Sequence, residues 1–326
     1  MVKVLTIGDP HFKVSNVIET DVMVKAIIEQ VQQLQPDFVV VLGDILDRHE
    51  SIHSSPLCRS VEFLRQLKEL CLTYVLIGNH DLINNRQFLS SQHGFTALKE
   101  WNNLFVVDYP LKHQIGPYYF VFVPYVPPGK FFKALDKLDN WTEAKCVFSH
   151  QEYFGATMGS TASTTGDVWE LTLSHNISGH LHGYNELQPN LHYVGTPIPH
   201  NWGDGNNSIS LYNFEDIITW KRIFLNLPKK RIVHLEASEV HDYKPNFDDM
   251  LKIKISGTAA ELKVVKKSLA VKEWLKNGIK IAYVQKKTET IVLSELGPPP
   301  KFRTILENRI AGDVKLQKLY NEFFNR

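Results

Sequence analysis

The chain is 326 residues long, 43% hydrophobic and 22% charged, with a net charge of +1. That is the composition of a soluble globular protein with room for one large domain or two modest ones, and no apolar run reaches the length that spans a bilayer, which excludes a membrane-spanning helix. Cys58, Cys71 and Cys146 are odd in number and lack paired ligand spacing. They exclude a thiolate metal site and read as reduced, buried thiols of an intracellular protein.

The N-terminus MVKVLTIGD reads as a strand from its second residue, which predicts no signal peptide. Apolar runs closed by polar or glycine breaks recur as DFVVVLGD, TYVLIGNHD, YYFVFVPY, AKCVFSHQE and HNISGHLHG, each a predicted buried strand. Between the first three runs, ETDVMVKAIIEQVQQLQ and SSPLCRSVEFLRQLKEL carry apolar residues at helical spacing. This alternation predicts a parallel sheet covered by helices. LHYVGTP, NSISLYNF and IITWKRIFLNL follow without helices. They are expected to form a second, more antiparallel sheet packed on the first.

Near Pro228 the charge changes sign. Residues 1–225 hold 16 Lys and Arg against 23 Asp and Glu, whereas residues 226–326 hold 20 against 12. MLKIKIS, AAELKVVKKSLA, KEWLKNG and IKIAYVQKK predict strand, helix, helix and strand, a small basic α+β unit. A basic unit suits a polyanion, with Lys229, Lys230, Arg231, Lys254, Lys266 and Lys267 as candidate phosphate contacts. GPPP at 297–300 ends the unit, because proline stops both helix and ladder. FRTILENRIAGDVKLQKLYNEFF then predicts two short amphipathic helices around Gly312.

The strand ends carry the chemistry. The first closes in GDPHF, where Pro10 disfavours helix and is expected to hold Asp9 and His11 extended, two apart and on one side. The next two close in GDILDR, with Asp44 and Asp47, and in GNHD, with Asn79, His80 and Asp81. A later one closes in SHQE with His150, and the last in GHLHG. There His180 and His182 are likewise expected on one side of extended chain. In open α/β sheets functional groups gather beyond the carboxyl ends of the strands. A lone Asp after a strand is usually a turn residue, but five such ends in one chain are not explained by packing. Nitrogen and oxygen donors without thiolate suit manganese, iron or zinc in a hydrolytic centre.

The ordered series D-x-H, G-D-x-x-D-R, G-N-H-D, His150 and G-H-x-H resembles that of the calcineurin-like metallophosphoesterases. The resemblance implies an α/β fold, a two-sheet sandwich flanked by helices. It implies two divalent ions, manganese foremost, one held by Asp9, His11 and His182 and the other by Asn79, His150 and His180. Asp44 would bridge them, and His80 would stand beside them as the catalytic proton donor. Asp47 and Asp81 become candidates for orienting imidazoles and Arg48. YVGTPIPHNWGDGNNSISLYNF after G-H-x-H further resembles the Y-x-G-S/T-P segment of SbcD-type double-strand-break repair nucleases, and SHQEYFG and KLYNEFF look like their phage or viral forms. By that resemblance residues 1–227 form a nuclease domain, 228–296 a small α+β DNA-capping domain, and 297–326 a linker with C-terminal helices. The helices would bind an SbcC-type ABC/SMC-like ATPase, the chain would be a homodimer acting on DNA inside a cell, and no membrane would be involved. Cellular members place a histidine three residues after the bridging Asp, where this chain has Asp47. That leaves the role of a second histidine unassigned.

Two rival readings share the motif series. A phosphatase or small-molecule phosphodiesterase would use the same ligands but leaves the basic unit unexplained. A scaffold that had lost catalysis should have lost ligands, and none of the series is missing.

Overall fold

The structure is a computed structural model. It describes the chain except residues 50, 159–160, 203, 206, 248, 287–300 and 325–326. In chain order the strands of the larger part are β1 (Val2–Ile7), β2 (Phe38–Val41), β3 (Leu72–Leu76), β4 (Leu104–Val107), β5 (Leu111–Ile115), β6 (Tyr118–Val123), β7 (Cys146–His150), β8 (Thr157–Met158), β9 (Thr161–Ala162), β10 (His175–Gly179), β11 (Asn185–Gln188), β12 (Leu191–Tyr193), β13 (Ile209–Phe214) and β14 (Thr219–Ile223). Its helices are α1 (Val17–Leu34), α2 (Ser54–Leu70) and α3 (Phe131–Leu135).

Twelve of these strands build two six-stranded sheets, ordered β14-β13-β1-β2-β3-β4 and β11-β12-β10-β7-β6-β5. β1 to β4 are parallel neighbours, as are β6, β7, β10 and β12. The sheets face each other across Val4, Phe38, Val40 and Tyr74 on one side and Phe120, Phe122, Phe148 and Ile177 on the other. The alternate residues Leu5, Ile7, Val39 and Val41 point outward and are covered by Met23, Ile27 and Val31 of α1 and Phe63, Leu64 and Leu67 of α2. Both faces are thus dry, which is why the strands read as unbroken apolar runs. α1 stops at Gln35, whose left-handed φ of 45° closes the helix just before Pro36.

This is the expected α/β sandwich, with one regrouping. NSISLYNF and IITWKRIFLNL do not join LHYVGTP in a second sheet: β13 pairs antiparallel with β1 and carries β14 beside it, while β12 joins β10. The reason is burial, since Tyr212 and Phe214 of β13 fill the space between the sheets beside Phe120 and Phe148. The cysteines also differ from expectation. Cys146 is buried between the sheets, but Cys58 is exposed on α2.

The basic segment forms a third sheet, ordered β15 (Lys230–Glu236), β16 (Met250–Gly257) and β17 (Lys280–Gln285), all parallel. KRIVHLE is therefore a strand, missed because its alternation is broken by charge. Helices α4 (Ala259–Val265) and α5 (Leu269–Lys276) begin on Thr258 and Ser268, whose hydroxyls cap Glu261 and Val271. They bury Leu262, Val265, Val271 and Trp274 against Leu251, Ile253 and Ile255 of β16. The opposite face of the sheet carries Lys230, Lys252, Lys254 and Lys280 together with His234, by the strand registers. The GPPP break, and with it the expected boundary at 296 and 297, lies outside the described residues. Beyond it, α6 (Phe302–Ile310) and α7 (Val314–Phe324) pack on each other and bury no residue. No described helix is long and apolar enough to cross a membrane.

Candidate metal centre

β1, β2 and β3 of one sheet and β7 and β10 of the other finish at a common edge, where the residues just beyond them meet. They do not meet in extended chain. His11, Asp44 and His180 have φ of 44°, 48° and 85°, in the left-handed region that non-glycine residues rarely occupy. Each such residue costs about 1–3 kcal/mol and persists where its surroundings hold it. Here the holds are visible: His11 N–H donates to the Asp44 carbonyl at 3.0 Å, and His180 N–H to Asp9 Oδ1 at 3.1 Å. The expectation that Asp9 and His11, and likewise His180 and His182, share a side by strand alternation is corrected, because tight kinks aim them instead. Gly43 shows how close the segments come. It has a φ of 103°, and a Cβ there would lie 2.5 Å from the side-chain Nδ1 of His150 and 2.9 Å from the Gly78 Cα.

The seven motif residues fall into two clusters on either side of Asp44. On one side His11 Nε2 is 3.2 Å from His182 Nε2 and 3.8 Å from Asp44 Oδ2. On the other, Asn79 Oδ1 is 3.0 Å from His150 Nε2 and 2.9 Å from His180 Nδ1, and His150 Nε2 is 3.4 Å from Asp44 Oδ2. Asp44, His150 and His180 can offer ligand atoms within 4.8 Å of one another, a candidate metal-holding group. Asp9 joins the clusters through Oδ1, 3.5 Å from His150 Nδ1.

The electrostatics fit a cation. Asp9, Asp44 and Asp81 are all nearly or fully buried. Burial pushes Asp9 up to about 7, although His150 opposes it. Burial also works against the Asp44 charge, but His150, His11 and His80 outweigh it and hold that carboxyl below the usual range. Burial lowers His11 and His182 and takes His180 down to about 3, so their ring nitrogens keep free lone pairs. Burial opposes protonation of His150 too, yet the Asp44 carboxylate beside it raises that ring to about 9. Asp9 Oδ2 and His11 Nδ1 are moreover buried without a hydrogen-bond partner. Unpaired buried oxygen and nitrogen donors are what a divalent ion satisfies.

The other predicted residues are placed differently. His80 stands at the rim with 35% of its side chain exposed, its Nε2 4.0 Å from Asp44 Oδ2. Among the described residues Asp81 bonds no imidazole. It accepts the backbone N–H groups of Gly78, Ile45 and Leu46 at 3.0, 3.2 and 2.9 Å, tying the turn after β3 to the turn after β2. Asp47 pairs with Lys13 at 2.9 Å rather than with Arg48, but it does lie against imidazoles: its Oδ1 is 3.9 Å from His11 Nδ1 and its carbonyl is 2.8 Å from His80 Nδ1. Arg48 is exposed beside a groove formed with Phe12, Leu46 and Ile52. Of the basic candidates, Lys229, Arg231, Lys266 and Lys267 are exposed and Lys254 is half-buried. Arg231 pairs with Asp249 at 2.9 Å, and Lys266 lies over the Tyr283 ring. Lys230 is half-buried and donates to the Pro199 carbonyl at 2.8 Å. Two histidines escaped the sequence reading. His49, five residues after Asp44, stacks on His80 with centroids 4.8 Å apart and planes at 11°. His200 lies against His11 and His182. Neither directly follows a strand end, the position that marked the other site residues.

Comparisons with known proteins bear on the family of this chain. The family profile described as Calcineurin-like phosphoesterase matches residues 2–192. The phosphoesterase-named protein 244L of Invertebrate iridescent virus 6 is 39% identical over 82% of this chain and 99% of its own length. The phosphoesterase-named protein 078R of Invertebrate iridescent virus 3 is 36% identical over 99% of this chain and 96% of its own. Exonuclease subunit 1 of Enterobacteria phage T4 is 24% identical over 74% of this chain and 73% of its own. The fold, the paired clusters about Asp44 and these matches lead to one conclusion: the chain belongs to the calcineurin-like phosphoesterase family.

Proposed function

We propose that this chain is a DNA phosphodiesterase, an SbcD-type exo- or endonuclease subunit working in double-strand-break repair or recombination. The observation that carries the reading is Asp44, whose Oδ2 faces His150 on one side and His11 on the other. In this reading Asp9, His11 and His182 hold one divalent ion, Asn79, His150 and His180 hold a second, Asp44 serves both, and manganese is the metal of choice. When bound, such a pair supplies Lewis-acid charge for water attack on a phosphodiester. His80 moves the proton. Its Nδ1–H donates to the Asp47 carbonyl at 2.8 Å, which leaves Nε2 free to face Asp44 and the substrate. Its backbone N–H donates to Asp44 Oδ1 at 2.8 Å, which ties His80 to the carboxylate that would serve both ions.

DNA rather than a small ester is favoured by Lys230, Lys252, Lys254 and Lys280, gathered on one face of the third sheet, the first three of them half-buried there. The likeness to the T4 exonuclease subunit supports the same choice. The two exposed C-terminal helices support docking to an SbcC-type ATPase, with two copies of the chain in the assembly and DNA inside a cell as the setting. The test is hydrolysis of duplex DNA and of bis-p-nitrophenyl phosphate side by side, with manganese and with chelator. Chelator-sensitive cleavage of both substrates supports the reading. Cleavage of the small ester alone removes the DNA assignment.

A further inference from the structure

We infer that His200 is a positioning residue for one half of the metal centre, the half made by Asp9, His11 and His182. This rests on the reading that those three residues hold an ion. The His200 Nε2–H donates to the Asp9 carbonyl at 3.0 Å. Its ring meets the His11 ring edge-on at 4.6 Å and 81°, and the His182 ring at 5.1 Å and 61°. So one imidazole touches all three members of one cluster. Among the described residues, its hydrogen bonds and ring contacts do not reach Asn79, His150 or His180.

The contact matters because His11 sits in a left-handed conformation, φ 44°. Such a residue keeps its place when neighbouring groups over-determine it. His200 pins the carbonyl two residues before His11 and closes the space beside its ring. A neutral imidazole has one N–H, and here it is spent on Asp9. His200 is itself held from both sides. Asp204 Oδ2 accepts the N–H groups of His200 and Asn201 at 2.9 and 2.8 Å, and Lys230 Nζ reaches the Pro199 carbonyl at 2.8 Å. Lys230 begins β15, so the basic sheet is tied to the segment that carries His200.

The test uses the full-length chain stripped of metal and titrated with manganese, read by calorimetry and by electron paramagnetic resonance. Wild type should bind two equivalents and show a coupled pair. His200→Ala should keep one equivalent at wild-type affinity and weaken the other about 10–100-fold, leaving the spectrum of an isolated ion at intermediate manganese. His200→Gln can still donate to the Asp9 carbonyl and should recover part of the loss. It also carries the test should the alanine variant fail to fold by circular dichroism. Both equivalents unchanged in His200→Ala, or both weakened alike, overturns the assignment. If wild type binds fewer than two equivalents, the metal reading itself fails and this inference with it.

Discussion

The proposed proton donor, His80, is held so that its ring need not bind either ion. Its Nδ1 is committed to a backbone carbonyl and its Nε2 is not within bonding distance of Asp44, so the ring can be altered without emptying either cluster. His80→Asn should therefore bind both ions like wild type while hydrolysing a phosphodiester about 10²–10⁴-fold more slowly. Metal stoichiometry and turnover measured on one preparation check this. Full activity, or lost metal, would show that His80 does something else. His49 sits parallel on the same ring, with its Nδ1 3.2 Å from the Leu82 carbonyl. It occupies space beside His80 where the sequence pattern had suggested only Asp47.

Between elements, small polar ties decide how loops are set. Asp108, just beyond β4, takes Lys99 Nζ at 2.6 Å and His93 Nε2 at 3.2 Å, and so fastens the 3₁₀ turn Thr96–Glu100 to the first sheet. Burial opposes the Asp108 charge, but these two partners lower its carboxyl below the ordinary value. A carboxyl depressed by folding adds stability that is full above its unfolded pKa of about 3.9 and is lost as pH falls through the folded value. Asp108→Asn should cost about 1–3 kcal/mol near neutral pH. Urea melts at falling pH should show that difference closing in acid, and a constant gap would exclude the charge as its source. The tail makes a contrasting case. Phe302, Val314 and Phe323 are each more than three-quarters exposed. Truncation before Lys301 should leave thermal stability and phosphodiesterase activity near wild type while ending co-purification with the ATPase. A truncated chain that melts well below the intact one would instead make α6 and α7 part of the core.

At the scale of the molecule, charge is separated: an acidic body carries the candidate metal centre and a basic sheet gathers lysines on one face. Substituting Lys252, Lys254 and Lys280 together by Gln should weaken duplex binding, and each phosphate left without its lysine should flatten the slope of log affinity against log salt by about 0.9. Hydrolysis of the small diester should hardly change. An unchanged salt slope would mean the face does not meet DNA. Much of this protein was legible in its sequence. Apolar runs marked β1, β2, β3, β6, β7 and β10, since strands buried on both faces leave a continuous signal. The order of Asp, Asn and His at their ends marked the site, because parallel strands deliver their carboxyl ends to one edge. Short or charged strands such as β5, β11 and β15 gave no such signal, since one face of each is polar. Tertiary structure alone decided three further things: that β13 crosses to the first sheet, that His11, Asp44 and His180 aim their donors through left-handed kinks, and that His49 and His200 stand among the motif residues. Each depends on contacts between segments far apart in the chain, where packing and backbone hydrogen bonds rather than local pattern set the geometry.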